Sequence, residues 1–205
     1  MLISAGVVLL WSAVHPHDYF TWFLEVWPGV AGVAILMAMY RNFRFTNFLY
    51  LLISVHVIVL FIGGHYTYAR VPAFNWLRDA LHLMRNDYDR VGHFLQGFVP
   101  ALIARELFIR KGIVRGRMWR AAIIIFVCLG ISASYELLEW AVAVSTGSVA
   151  NDFLGTQGDP WDTQEDMATA LVGAVLALIA MSRLHDRAMA RLAQRTGEAV
   201  ASASA

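Results

Sequence analysis

Five apolar stretches of about 20 residues dominate the sequence, and short polar segments separate them. A helix of about 20 apolar residues, rising about 1.5 Å per residue, crosses the roughly 30 Å hydrocarbon core of a bilayer. The pattern therefore predicts transmembrane helices at 20–40, 45–65, 88–108, 118–144 and 162–181. A shorter apolar run covers 1–14. It has no basic start and no clear cleavage site, so we interpret it as a first helix that is little tilted or lacks a few upstream residues.

The composition indicates that lipid is the solvent of this chain. Of its 205 residues, 59% are hydrophobic and 15% are charged, with a mean hydropathy of +0.56. A soluble domain is about 45–50% apolar and about 25% charged. One cysteine, Cys128, excludes a disulfide framework or a thiolate metal site within the chain. No basic cluster alternates with exposed aromatics, so nucleic-acid binding has no support. We predict an all-α, polytopic bundle of six transmembrane helices.

The basic residues are sorted to one side of the predicted membrane. With six spans, twelve of the sixteen lysines and arginines fall on the side that carries both termini. Basic loops stay in the cytoplasm, so this asymmetry predicts cytoplasmic termini in a bacterial inner membrane. Residues 1–187 then form the transmembrane domain, and residues 188–205 form a cytoplasmic tail, a frayed helix followed by disorder.

Residues 71–85, between the third and fourth spans, carry a different pattern. Apolar side chains recur there at helical spacing, at Phe74, Leu77, Leu81 and Met84, after an early proline that suits the first turn of a helix. We predict a short amphipathic helix that lies on or dips into the outer leaflet.

Ionisable residues gather in the outer halves of the predicted spans. Twelve of the fifteen carboxylates map to the outer side, although a charged group costs about 2.5–3.5 kcal/mol at the bilayer centre. Three pairs are spaced to share one helix face: Asp89 with His93, Glu136 with Glu139, and Asp162 with Asp166. Such groups persist when they face the interior of the bundle and find partners there.

We therefore predict one polar cavity that opens toward the outer leaflet. Its predicted catalytic residues are Asp89, His93, Glu136, Glu139 and Asp166. The predicted substrate-binding or rim residues are Glu25, His65, Gln157, Asp159, Trp161, Asp162 and Gln164. A divalent metal ion is a further hypothesis, with His93, Glu136 and Asp166 as ligands, because carboxylates and histidine suit Mg²⁺, Mn²⁺ or Zn²⁺. We expect the glycines at 92, 97 and 173 to let the helices approach closely.

Some of these residues also have a structural interpretation. Asp162 followed by Glu165 matches a capping box at the start of a helix. Asp89 could form a solvated ion pair with Arg90 or Arg85, which contributes little stability. These alternatives stay open at the level of the sequence.

Three other ionisable residues have a structural interpretation of their own. His93 could be an interior histidine whose hydrogen bonds are satisfied. His56, in the middle of the third span, is expected to hydrogen-bond between helices and not to bind a ligand. Glu106 lies among arginines at the inner end of its helix, where we expect a weak surface ion pair.

Three segments of the chain resemble a known family. They are YDRVGHF at 88–94, SASYELLEW at 132–140 and LGTQGDPWDTQEDM at 154–167. These segments resemble the YjdF-type bacterial inner-membrane proteins, and the resemblance extends over nearly the whole chain. More distantly, the Asp-x-x-x-His helix, the Glu helix and the final Asp-rich helix are similar to the VanZ-like membrane proteins, one type of which is associated with glycopeptide-antibiotic resistance. The resemblance implies a polytopic membrane protein and transfers no biochemical activity.

Three functions fit these observations. The first is a metal-assisted enzyme on a lipid-linked or envelope substrate at the outer leaflet, although no HExxH motif is present. The second is a small proton-coupled transporter or lipid carrier, since intramembrane Asp, Glu and His mark such pathways. The third is a structural or accessory protein whose polar cluster locks the bundle. The lipid bilayer is the partner common to all three, and the sequence leaves the substrate and the oligomeric state open.

Overall fold

The described residues of the chain are entirely helical. A computed structural model describes residues 2–147 and 151–197, and within these ranges it contains nine helices and no strand. The helices are α1 (Leu2–Ser12), α2 (Tyr19–Met39), α3 (Asn47–Tyr66), α4 (Pro72–Leu81), α5 (Tyr88–Arg110), α6 (Arg117–Thr146), α7 (Asn151–Leu154), α8 (Asp162–Ala180) and α9 (Ser182–Thr196).

The long helices agree with the five predicted spans to within two residues at each end. Four of them, α2, α3, α6 and α8, are long and apolar enough to cross a membrane. Helix α5 is 23 residues long but carries ionisable side chains near both ends. Helix α1 has 11 residues and is therefore only about 17 Å long. The fold is thus an all-α bundle with several helices that suit a bilayer.

Helix α5 lies at the centre of the bundle, where it packs against α3, α6 and α8. Its tightest neighbour is α8. A Cβ atom on Gly97 would overlap the backbone oxygen of Ala170, and one on Gly173 would overlap that of Phe94. Glycine thus allows the two backbones to touch, as expected at these two positions. Gly92 makes a different contact, since a Cβ there would lie 2.9 Å from Cε1 of the Tyr68 ring.

The two amphipathic segments differ in how they contact the bundle. Helix α4 has no buried residue, and Trp76 is 71% exposed. Helix α9 is anchored, because His185 and Met189 are buried. The first part of the predicted tail belongs to this helix, which ends at Thr196. Residues 198–205, for which we predict disorder, lie outside the described residues.

Candidate functional site

Three helices bring acidic side chains to one histidine. Nε2 of His93 on α5 lies 3.5 Å from Oδ1 of Asp89, one turn earlier on the same helix. It also lies 3.7 Å from Oε1 of Glu136 on α6 and 3.8 Å from Oδ2 of Asp166 on α8. His93, Glu136 and Asp166 are all buried. Four of the five predicted catalytic residues therefore meet at a single ring nitrogen.

Arg90 and Arg85 contact the carboxylate oxygens of Asp166 and Asp89 that do not face His93. Nη1 of Arg90 donates to Oδ1 of Asp166 at 2.5 Å, and Nη2 of Arg85 lies 3.7 Å from Oδ2 of Asp89. Each aspartate thus has one oxygen on a guanidinium group and one turned toward His93. The Glu136 oxygen that faces His93 has no hydrogen-bond partner among the described residues. The expected pairing of Asp89 with Arg85 is present, but it is buried and belongs to this cluster.

The same arginines contact the loop that leads into α8. Arg85 pairs with Asp162 and, at 3.5 Å, with Asp159, while Arg90 pairs with Asp159 at 3.2 Å and with Glu165 at 2.8 Å. Burial opposes the charge of Arg85, but the hydrogen bond to Asp162 and the nearby carboxylates outweigh it and raise the pKa of this guanidinium. The loop is therefore held to the start of α5 by charge.

The capping interpretation of Asp162 is wrong. The N-cap of α8 is Trp161, and it makes no side-chain cap hydrogen bond, so Asp162 acts as an ion-pair partner instead. Gln157 has a clear structural role, because its amide accepts from the backbone N–H of Asn86 at 2.9 Å and donates to the backbone carbonyl of Asn86 at 2.9 Å. These two bonds fix the segment just before α5.

Oε1 of Gln96 lies 3.1 Å from Nδ1 of His93. Because an amide oxygen accepts hydrogen bonds, this contact favours the tautomer that carries its proton on Nδ1. In a neutral ring Nε2 would then turn its lone pair toward three carboxylate oxygens. That arrangement is repulsive unless a proton or a metal ion lies between them. The geometry therefore requires either a protonated His93 or a metal ion bound between His93 and the carboxylates.

The separations suit a metal ion. Ligands about 2.0–2.2 Å from zinc lie roughly 3.3–3.6 Å apart in a tetrahedral site, close to the 3.5–3.8 Å between Nε2 and its three oxygens. Ligand atoms of Asp89, His93 and Asp166 all lie within 4.8 Å of one another. These three side chains therefore fit a divalent ion. Glu136, a ligand expected from the sequence, lies outside this group, although its Oε1 is 3.7 Å from Nε2 of His93. Gln96 and the arginines would orient these ligands from outside.

A cavity of about 960 Å³ adjoins this cluster. Its walls come from α2, α3, α5 and α6, and most of them are apolar. Its polar end contains Glu25, Asp89, His93, Tyr135 and Glu139. Glu139 thus lies on the cavity wall and not among the groups that contact Nε2 of His93. The cavity has the size of a ligand site, for which about 300–1,000 Å³ is usual.

Other predicted rim residues lie elsewhere. The structure turns His65 toward α1, where Nδ1 lies 3.1 Å from the Ser12 carbonyl and the ring centroid lies 4.3 Å from that of Trp11. His65 is therefore not among the described residues that line the cavity. Trp161 and Gln164 are exposed. His56 lines the cavity, and its Nε2 has no hydrogen-bond partner among the described residues, in contrast to the expected interhelical bond.

A second buried polar cluster lies at the inner end of α5, and the sequence did not reveal it. Glu106 is fully buried. Its Oε1 accepts from Thr46 N–H and Arg110, both at 2.9 Å, and its Oε2 accepts from the Thr46 hydroxyl at 2.9 Å and pairs with His185 at 2.8 Å. The expectation of a weak surface pair is wrong, because α9 and the α2–α3 loop cover this end of the helix. The i,i+4 spacing of Glu106 and Arg110 is the one local feature of the sequence that indicates an ion pair here.

Apolar helices of membrane-spanning length, with charged groups buried and paired between them, define a multi-pass helical membrane protein. The chain belongs to the family described as "Predicted membrane protein (DUF2238)", which matches residues 1–187. It is 47% identical over 195 residues to "Inner membrane protein YjdF" of Escherichia coli (strain K12), covering 95% of this chain and 93% of that relative. No solved structure matches it. The predicted family and the inner-membrane location are confirmed.

Proposed function

We propose that this protein is a metal-dependent enzyme that acts on a lipid-linked or envelope substrate at the outer leaflet. One observation carries the proposal: His93 Nε2 faces one oxygen each from Asp89, Glu136 and Asp166 at 3.5–3.8 Å. The apolar cavity beside this cluster supports an amphiphilic substrate. A purely structural lock would need no such cavity.

The proposed topology has six spans, α1, α2, α3, α5, α6 and α8, with both termini in the cytoplasm and α4 at the outer surface. The arginine asymmetry supports the orientation. Helix α5 qualifies despite its charges, because these are paired inside the protein at both ends and do not face lipid. Helix α4 leaves apolar side chains such as Trp76 and Leu81 exposed, as an interfacial helix would.

In this proposal Asp89, His93 and Asp166 hold the ion, which would supply a polarised water or a Lewis acid. Glu136, whose Oε1 faces His93, is the candidate for a fourth ligand. Arg85 and Arg90 hold Asp89 and Asp166 in place through the oxygens that do not face His93. Glu139 is a carboxyl group on the cavity wall beside this cluster. It is therefore our candidate for the group that donates a proton to the leaving group.

Metal analysis of the purified protein tests this function. We expect about one transition-metal ion per chain in the wild type, with Zn²⁺ as the best fit to the separations. His93→Gln and Asp166→Asn should each lose most of the metal. His56→Gln replaces a histidine that lines the same cavity but lies outside the cluster, and this variant should retain the metal. Equal metal content in all four proteins, or none in the wild type, would contradict the proposal.

A further inference from the structure

His56 is a polar side chain in the middle of the apolar helix α3. It lines the cavity, and its buried Nε2 has no hydrogen-bond partner among the described residues. A neutral imidazole carries one N–H donor and one acceptor nitrogen. A polar atom that stays buried and unpaired costs folding free energy, so a ligand in the cavity that pairs with this ring would recover that cost.

Gln96 on α5 lies at the same level of the bundle as His56. Thr46, the N-cap of α3, donates to Glu106 of α5 at 2.9 Å, and the two helices are antiparallel. His56 is ten residues outward from this contact on α3, and Gln96 is ten residues outward from it on α5. Both distances are roughly 15 Å at about 1.5 Å per residue. Gln96 also lines the cavity, where its Oε1 faces Nδ1 of His93.

Ser134 on α6 lies close to this level as well. His93 of α5 faces Glu136 of α6 at 3.7 Å. Gln96 is three residues deeper than His93, and Ser134 is two residues deeper than Glu136, which is roughly 4.5 Å and 3 Å. The hydroxyl of Ser134 lines the cavity and donates to the Gly130 carbonyl at 2.7 Å. Three polar side chains from three helices thus form a polar belt around the cavity: His56, Gln96 and Ser134.

Below the polar belt the cavity becomes an apolar slot. The described residues that line this deeper part are glycines and apolar side chains. On α5 the slot runs from Gln96 to Leu107, eleven residues or roughly 17 Å. Gly32 on α2 and Gly130 on α6 leave space beside it, because an added Cβ at either position would meet nothing within 4 Å. This length and lining suit an extended hydrocarbon chain.

The cavity therefore presents three zones in order: the cluster around His93, the polar belt and the apolar slot. An isoprenoid chain has no hydrogen-bonding group beyond its head, so it would leave His56 unpaired. An acyl chain begins with a carbonyl group, whose oxygen accepts from the N–H of an imidazole or an amide. The belt lies less than one helical turn of about 5.4 Å below the cluster, so an acyl carbonyl at the belt would directly follow a head at the cluster.

We infer that the cavity binds an acyl lipid, with the carbonyl of its acyl linkage at the polar belt and its hydrocarbon chain in the apolar slot. His56 is the residue that distinguishes this lipid from an isoprenoid one. The inference rests on the proposed function in one respect, since it takes the acyl lipid to be the substrate of that enzyme.

Photo-crosslinking with a matched pair of lipids tests the inference. Each probe is glycerol that carries one 16-carbon chain with a diazirine near its tail, joined through an ester in one probe and through an ether in the other. The full-length protein is held in nanodiscs of ether-linked phospholipid, so that the bulk lipid offers no competing ester.

We expect the ester to label peptides of α2 and α6 about tenfold more than the ether. A tenfold difference corresponds to about 1.4 kcal/mol, which is within the range for one hydrogen bond. An isoprenoid alcohol with the same diazirine should label no better than the ether. Equal labelling by ester and ether, no labelling of these helices by either, or stronger labelling by the isoprenoid than by the ester would overturn the inference.

Variants of His56 test the polar belt. His56→Leu removes the N–H group, so ester labelling should fall to the level of the ether, while unchanged ether labelling shows that the protein is folded. His56→Gln keeps an N–H donor and should keep most of the preference for the ester. Ser54→Ala is the matched control, because Ser54 is a polar residue of the same helix that does not line the cavity. It should label like the wild type, and an undiminished ester preference in His56→Leu would overturn the inference.

Metal content separates this inference from the proposed function. His56→Leu should keep the metal while it loses the preference for the ester. Asp166→Asn should lose the metal while it keeps that preference, since Asp166 does not line the cavity. Equal labelling by ester and ether in a protein that holds its metal removes only the acyl-lipid assignment. A clear ester preference in a wild type that holds no metal removes only the enzyme.

Discussion

Glu106→Gln tests whether the inner cluster stabilises the fold. The carboxylate of Glu106 is fully buried and receives four contacts at 2.8–2.9 Å, two on each oxygen. These contacts connect α5 to the start of α3, through Thr46, and to α9, through His185. Glutamine has the same shape, but it carries no charge and only one acceptor oxygen.

The expected loss of stability in Glu106→Gln follows from the hydrogen bonds that the glutamine side chain can keep. The glutamine oxygen can keep Thr46 N–H and Arg110, while its NH₂ group must face the Thr46 hydroxyl and His185. Removing one partner of a buried ion pair costs about 3–5 kcal/mol, and the two hydrogen bonds that the glutamine oxygen retains place this change near the lower end, at about 3 kcal/mol. For a chain of 150–250 residues, each kcal/mol lowers the Tm by about 2–4 °C. We therefore expect a decrease of roughly 6–12 °C.

Thermal unfolding in a mild detergent, followed by the loss of the monodisperse elution peak, measures this decrease. Asp186→Asn is the control, because Asp186 pairs with Arg105 at 2.6 Å but its side chain is 41% exposed, and such pairs contribute about 0–1 kcal/mol. Its Tm should change by no more than about 4 °C. If Glu106→Gln unfolds at the same temperature as Asp186→Asn, the inner cluster does not stabilise the fold as described.

Three further predictions concern topology and the outer cluster. Reporter fusions after Lys111 and near Arg195 should report the cytoplasm, and fusions near Asn75 and Thr156 the periplasm; a periplasmic signal at Lys111 would invert the proposed topology. Glu136→Gln should insert normally, as membrane fractionation would show, yet lose the metal; unchanged metal content would remove Glu136 from the ligand set. Arg90→Gln should weaken metal binding about 10- to 100-fold, because it frees the outer oxygen of Asp166; competition with a chelating dye measures this, and unchanged affinity would show that the arginine does not orient the aspartate.

The hydrophobic pattern was enough to find the helices, because lipid requires long apolar runs and helices satisfy their own backbone bonds. The sequence also predicts that Asp89, His93, Glu136 and Asp166 lie close together. Each of these side chains is costly in lipid, so each is expected to face the interior of the bundle. Counting residues along the spans places them at a similar depth, and i,i+4 spacing puts Asp89 and His93 on one helix face.

Depth does not tell which neighbour a side chain faces, and the wrong predictions follow from this. His65 is near the end of its helix as expected, but it faces Trp11 and Ser12 of α1, a packing choice that no periodicity encodes. The sequence predicts a surface position for Glu106, because His185, its partner on α9, is 79 residues away in sequence. Tertiary packing decided both cases.

X-ray absorption at the edge of the bound metal, on the purified full-length protein, tests whether His93 and the carboxylates around it form a metal site. We expect one imidazole nitrogen at about 2.0–2.1 Å and carboxylate oxygens at about 2.0–2.2 Å, with the imidazole scattering lost in His93→Gln and retained in His56→Gln. A spectrum of oxygen ligands alone, or an imidazole signature that persists in His93→Gln, would contradict it.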